Sequence, residues 1–307
     1  MKLVTFEAGG APRLGALTDA GVVDLNAADA AVPADMLSLL DAGEAGLSRA
    51  RRAAASGAAQ PLSAVKLRAP LPNPRAIKDF FAFEDHAKAG AARRNEPMQP
   101  AWYDQPVYYK GNPREIYGPD EVVPWPAYTR KLDFELEIAC VIGKKGRDLS
   151  IEQAQSHLFG YMVFNDWSAR DIQKNEMLCR MGPAKAKDFA NGFGPYLLTA
   201  DELPDPNGLR MRAIVNGEVW SEGNSSGRWW SFATMLSHVS QGETVLPGDI
   251  LGSGTYHKGC GLDMDRWLAP GDTLECEVEK LGTLRQVVGK PLGDTHLKYT
   301  KAQASGR

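Results

Sequence analysis

The segment KLDFELEIACVIG, residues 131–143, constrains this chain most tightly. Leu132, Phe134, Leu136 and Ile138 alternate with Asp133, Glu135 and Glu137, and the run then turns wholly apolar through Ala139, Cys140, Val141 and Ile142. Alternation with a period of two is the pattern of a strand, whose successive side chains point to opposite faces. All three acids therefore share one face, and the part beyond them suits burial on both faces. Carboxylates at i and i+2 sit about 7 Å apart. Two readings follow. The acidic face meets solvent, or it lines a cavity where ionised neighbours raise each other's pKa until a cation joins them. Hard divalent ions such as Mg²⁺ take carboxylate oxygens in that way.

Four further stretches carry chemistry. In GYMVFNDWSARDIQKNE (160–176) an apolar strand, Tyr161 to Phe164, ends at Asn165-Asp166, and a helix is predicted from near Ser168 with Asp171 placed for a capping box. Asp166 either turns the chain or joins the acids. Arg170 and Gln173 are one turn apart on that helix, suited to a carboxylate or to solvent. In KDFFAFEDHAKAGAARR (78–94) Asp79 precedes His86 by seven residues, and a helix starting between them lets both face one cavity. The alternative is a structural histidine. GPAKAKDFANGFGPY (182–196) sets Lys187 among glycines, either as a buried cation or as a surface lysine. LGSGTYHKGCGLDMDRW (251–267) is a Gly-rich turn after a strand, but it matches neither GxxxxGK[ST] nor GxGxxG, so no nucleotide phosphate site is assigned.

The remaining sequence sets bounds. A formal net charge of −3 offers no basic surplus for nucleic acid or an anionic membrane. No apolar run reaches the length of a membrane span, and MKLVTFEAGG lacks the pattern of a signal peptide, so a cytoplasmic location is expected. The 4 cysteines are far apart without a CxxC, which fits reduced thiols. Residues 1–70 read as a small unit of short strands and a helix over 34–55. PLSAVKLRAPLPNPRAI then forms an extended, proline-rich connector. Residues 71–293 read as a strand-rich domain and 294–307 as a flexible tail. The fold class expected is α+β and β-rich.

Together, DFELEIACVIG, NDWSARDIQ, GPAKAKDF and SGTYHKGC resemble the fumarylacetoacetate hydrolase family, in order from Asp79 to Gly289. The resemblance implies a fumarylacetoacetase-like mixed β-roll behind a small N-terminal β-containing domain, assembled as a homodimer. It implies a divalent metal, Mg²⁺ or Mn²⁺ with Ca²⁺ also admitted, on Glu135, Glu137 and Asp166, joined by Asp79 in the fumarylacetoacetase branch. His86 maps to the water-activating base, Asp263 to its acidic partner and Lys187 to an oxyanion-stabilising position. Tyr109, Arg170, Gln173 and Thr255 map to substrate contacts. The implied activity is metal-dependent hydrolysis of a C–C bond in a small 2-oxo or 1,3-dioxo carboxylic acid. Decarboxylation, dehydration or isomerisation of a 2-oxo acid is the alternative on the same fold, and a binding module with a structural cation is an alternative of another class. The chain departs from the family at Phe81, Met177 and Ala190-Asn191, and its N-terminal unit is shorter than in the fumarylacetoacetase branch.

Overall fold

Strands dominate because apolar and β-branched residues alternate or run together between Gly, Pro and Asp turns. The computed structural model describes residues 1–293 together with Thr295, Leu297, Gln303 and Ala304. The flexible tail expected over 294–307 lies outside the described residues apart from those four positions. Among the described residues the strands form sheets of 12, 5 and 2 strands, with short helices around them, which is the expected β-rich α+β class. No described helix is long and apolar enough to cross a membrane.

The centre of the large sheet runs, in spatial order, Asn191–Thr199, Leu158–Asp166, Leu136–Ile142, Asp249–Gly252, Ala76–Phe80 and Tyr108–Gly111. On the far side of Asn191–Thr199 come Lys2–Glu7, Arg13–Thr18, Gly21–Asp24 and Ala59–Gln60, with Lys2 opposite Leu198. Strands from residues 1–70 thus extend the same sheet. The single helix expected over 34–55 is two, Met36–Asp41 and Gly43–Ser56, divided where Gly43 takes φ +59°. A five-stranded sheet that includes Arg210–Val215, Thr273–Val278 and Gly282–Pro291 packs against the large one.

The Leu136–Ile142 strand reads as a continuous apolar run because both faces are covered. Ile138, Cys140 and Ile142 enter one core with Val163, Leu251 and Leu284. Ala139 and Val141 enter the other with Leu39, Phe164 and Phe193. The two Pro-Gly turns form as their residues suggest, with Gly248 at φ +86° and Gly271 at φ +91°. In each, the following Asp side chain accepts from the first residue's N–H, Asp249 from Leu246 at 2.9 Å and Asp272 from Ala269 at 2.7 Å.

Strand direction gathers the acids. Leu136–Ile142 is antiparallel to both Leu158–Asp166 and Asp249–Gly252, and Ala76–Phe80 is parallel to the latter. The start of the first strand and the ends of Leu158–Asp166 and Ala76–Phe80 therefore meet at one end of the sheet. Glu137, Asp166 and Asp79 sit at those ends. By strand alternation they lie on the face of Ala139, Phe164 and Ile77, which belong to one core. Gly252 stands opposite Asp79 in the ladder. A Cβ on Gly252 would lie 2.2 Å from Asp79 Oδ1 and 2.8 Å from the Phe164 ring, so the close approach of the backbone requires glycine here.

Candidate active site

Asp79, Glu137 and Asp166 are buried, and each offers a carboxylate oxygen within 4.8 Å of the other two. The backbone N–H of Gly254 reaches Glu137 Oε2 at 2.8 Å and Asp79 Oδ1 at 3.4 Å. Glu137 Oε1 and Asp166 Oδ1 are buried without a hydrogen-bond partner. Burial, and then the charges of Asp79 and Asp166, push the Glu137 carboxyl well above its ordinary range. Burial raises Asp166 as well, against the opposing charge of Lys187, and it also raises Asp79. Three crowded acids, two of them with an orphaned oxygen, form a set that a hard divalent cation satisfies, so these residues fit the metal that the resemblance implies. The Tyr109 hydroxyl is also buried and without a hydrogen-bond partner. Tyr109 faces Asp79 across the adjoining strand pair, and burial together with the carboxylates keeps its hydroxyl protonated.

Glu135 lies just before the strand proper and outside this triad. Its Oε1 accepts from Arg170 Nη2 at 2.9 Å and its Oε2 from Lys187 Nζ at 2.6 Å. Lys187 also ion-pairs with Asp166. Burial works against a charged Glu135, but Arg170 and Lys187 outweigh it and hold the carboxyl well below its usual range. Burial likewise opposes the Lys187 cation, and Asp166 and Glu135 raise it above the ordinary lysine value regardless. Lys187 therefore links the acid row to the triad as a fixed positive charge, only 2% exposed. Arg170 Nη1 donates to Gln173 Oε1 at 2.9 Å, so the predicted shared helix face is occupied by this contact.

His86 projects from the helix Glu84–Arg93, just after the strand that bears Asp79. Its Nδ1 lies 2.7 Å from Asp263 Oδ2, although the two residues are 177 positions apart. Asp263 also accepts from the Lys258 N–H at 3.0 Å and Arg93 Nη2 at 3.1 Å. Burial disfavours its charge, yet these donors, His86 first, hold its carboxyl far below the usual range. An ionised Asp263 makes Nδ1 the protonated nitrogen and leaves Nε2 free to accept a proton. The Thr255 hydroxyl donates to the Leu136 carbonyl at 2.8 Å.

A family model described as the fumarylacetoacetate hydrolase C-terminal domain matches residues 75–289. The chain belongs to the fumarylacetoacetate hydrolase family. It is 35% identical over 292 residues to human mitochondrial oxaloacetate tautomerase FAHD2A, covering 92% of this chain and 90% of that protein. It is 33% identical over 234 residues, 74% of each chain, to oxaloacetate tautomerase YisK of Bacillus subtilis. Among solved structures, the fumarylacetoacetate hydrolase EaFAH of Exiguobacterium antarcticum superposes with a TM-score of 0.75 at 28% identity, over 94% of this chain and 99% of that one. The expected fumarylacetoacetase-like fold is therefore the observed one, and the chain is an enzyme of a divalent-metal-dependent family.

Sequence reading missed part of what frames this family site. Asp133 is completely buried and accepts from Arg170 Nε at 2.7 Å, Gly261 N at 2.8 Å and Leu262 N at 3.0 Å. Its place in the acid row was the only signal. Asn165 Oδ1 accepts from the Glu135 N–H at 3.1 Å, and Gln286 Oε1 accepts from Trp167 Nε1 at 3.0 Å and Asn165 Nδ2 at 3.3 Å. Nothing local announces Gln286, which arrives from a strand 121 residues downstream of Asn165. The capping box predicted at Asp171 does not form. The helix Arg170–Leu178 begins without a side-chain cap, and Asp171 instead accepts from the Thr129 hydroxyl and the Arg130 N–H. Asp171 also takes the neighbouring Ile172 N–H at 3.1 Å, and the Ala169 N–H at the helix start goes to the Ala186 carbonyl at 2.9 Å, so tertiary contacts replace the box.

Lys187→Met leaves Glu135 and Asp166 without their shared cation. Breaking a buried ion pair from one side costs about 3–5 kcal/mol, so the metal-free variant is expected to unfold at lower denaturant. Turnover should also drop by roughly 10²–10³, as for loss of one charge-stabilising donor. Chemical denaturation and kcat measure the two effects. A variant indistinguishable from wild type in both would mark Lys187 as incidental.

Proposed function

We propose that this chain moves a proton at the carbon beside the keto group of a small 2-oxo acid, and that its reaction is keto–enol tautomerisation of a dicarboxylate of the oxaloacetate kind. The observation that carries this reading is His86 Nδ1 anchored on an ionised Asp263, which makes Nε2 a positioned proton acceptor and donor. Relatives named as oxaloacetate tautomerases, at 35% and 33% identity, support the choice of substrate class. Mg²⁺ or Mn²⁺ held by Asp79, Glu137 and Asp166 would supply Lewis-acid polarisation of the 2-oxo-acid oxygens.

This chain's own groups do the rest. Asp263 fixes the His86 ring and its tautomer. Lys187 contributes a permanent positive charge where negative charge develops on the substrate. The Arg170 guanidinium spends one N–H each on Asp133, Glu135 and Gln173. Of its five donors, about two remain for a substrate carboxylate. Tyr109, kept neutral, offers a hydroxyl beside the acids. The reaction returns the proton it removes, so no co-reactant is needed.

C–C hydrolysis is the second reading, and the same His86–Asp263 pair favours it, because an anchored imidazole also activates water. The likeness to EaFAH, at 28% identity, lends it support. The two are separated by following the ultraviolet absorbance of enol-oxaloacetate and, in parallel, the cleavage of an acylpyruvate, each with Mg²⁺, with Mn²⁺ and with chelator. The expected result is enol loss well above the uncatalysed rate, abolished by chelator, with acylpyruvate cleaved far more slowly. Metal-dependent cleavage without tautomerisation would replace the first reading with the second.

A further inference from the structure

A second group of metal-ligand side chains lies outside the acidic triad. His86, Cys260 and Asp263 each offer a ligand atom within 4.8 Å of the other two. A further imidazole borders the group: His257 Nδ1 is 3.4 Å from Asp263 Oδ2 but lies outside the set of mutually close donors, and its side chain, 40% exposed, would have to turn inward to complete a set of four. Three of the four come from one turn at intervals of three residues, His257, Cys260 and Asp263, and the fourth from the helix Glu84–Arg93. Two imidazoles, a thiol and a carboxylate differ in kind from the all-oxygen triad. Nitrogen and sulfur donors in a set of four are the preference of Zn²⁺, whereas Mg²⁺ takes oxygen.

We propose that His86, His257, Cys260 and Asp263 form a Zn²⁺ site separate from the carboxylate triad, and that its occupation switches the enzyme off. Exposed His257 gives the ion a path to donors that are otherwise buried. Two groups already on Asp263 compete with it. The Lys258 N–H holds Oδ2, and Arg93 Nη2 holds Oδ1 from a side chain 39% exposed, free to swing toward solvent. Binding forms a sulfur–zinc bond and releases the thiol proton to solvent; the proton that His86 Nδ1 donates to Asp263 moves to Nε2, so that Nδ1 takes the ion and Nε2 can no longer accept a proton, and no oxidation state changes. Inhibition follows because the imidazole that ligates zinc no longer exchanges protons. The binding stands by itself; only the inhibition rests on His86 being the proton-transfer group.

Co²⁺ is the probe for binding, added to Mg²⁺-saturated protein, because a cobalt–thiolate bond gives a charge-transfer absorption. Wild type is expected to show that band, and Zn²⁺ to abolish it. Cys260→Ser should lack the band, and Cys179→Ser, which removes the exposed free thiol, should keep it. His257→Asn, an exposed substitution that leaves the core untouched, should weaken Co²⁺ binding by at least about tenfold. Zn²⁺ should inhibit wild-type tautomerisation, with the inhibition weakened about as much in Cys260→Ser and His257→Asn. No band in wild type, a band that survives Cys260→Ser, or unchanged Co²⁺ affinity in His257→Asn would overturn the site. A Cys260-dependent band with no inhibition by Zn²⁺ would uphold the site and overturn both the inhibition and the role of His86.

Discussion

Glu137→Gln is expected to abolish metal-dependent turnover while leaving the metal-free protein at least as stable as wild type. Two opposing effects meet at this residue. With a divalent ion present, Glu137 supplies an oxygen with no protein partner, and the amide replaces an anionic ligand by a weak neutral one. Lewis-acid stabilisation of several kcal/mol depends on that ion, so a loss of about 10³-fold or more in kcat/KM is expected. Without the ion, the same carboxylate is a burden. It is buried beside Asp79 and Asp166, and its pKa in the folded protein is raised well above the unfolded value. A carboxyl raised in this way binds more protons folded than unfolded, so its contribution worsens as pH rises from about 4.3, the unperturbed Glu value, toward the raised one. The metal-free wild type should therefore lose melting temperature over that rise, and the variant should lose less. Mn²⁺ should restore the wild type and not the variant. Calorimetric titration with Mn²⁺ and melts with and without chelator measure all of this. Wild-type Mn²⁺ affinity in the variant would remove the triad from metal binding.

His86→Ala should divide the chemistry from the metal. Loss of a positioned general acid–base costs about 10²–10⁴ in rate, and tautomerisation should fall by that much. Mn²⁺ affinity should not change, because His86 is not among the triad residues. Any metal-dependent decarboxylation of oxaloacetate shown by the wild type should survive much better, since it needs an electron sink and no base. The substitution truncates a ring that packs edge-on to Phe81 at 5.3 Å between centroids, so circular dichroism and a melt accompany the assay. A variant that tautomerises at the wild-type rate would make His86 structural and pass the proton-transfer role to another group beside the triad.

Much of the site was legible in the sequence, because some of its chemistry is written at short range. A strand period places Asp133, Glu135 and Glu137 in one row, and the apolar run beyond them announces burial. The segment NDWSARDIQ signals a strand that stops at an acid and a helix that follows. Those patterns survive folding because they depend on residues only a few positions apart. They also sufficed for the family resemblance, and with it the fold class.

What the row of acids does was decided elsewhere in the chain. The three carboxylates are chemically alike in sequence, yet each meets different neighbours. Asp133 receives Arg170 and two N–H groups of residues 261–262, Glu135 receives Arg170 and Lys187, and Glu137 meets Asp79 and Asp166. The result is one carboxylate held far below its ordinary range and another well above it. No local rule separates them, because charge interactions follow distance in space, and the strand pairings that set those distances join residues 76–80, 136–142, 158–166 and 249–252. The same holds for His86 and Asp263, and for the donor set they share with His257 and Cys260. By itself the sequence determined which residue types were available, which stretches would be strands and where the acids would line up. The tertiary structure alone decided which acids crowd one another and which meet Arg170 or Lys187, since burial makes each such contact strong and only the closed fold makes it possible.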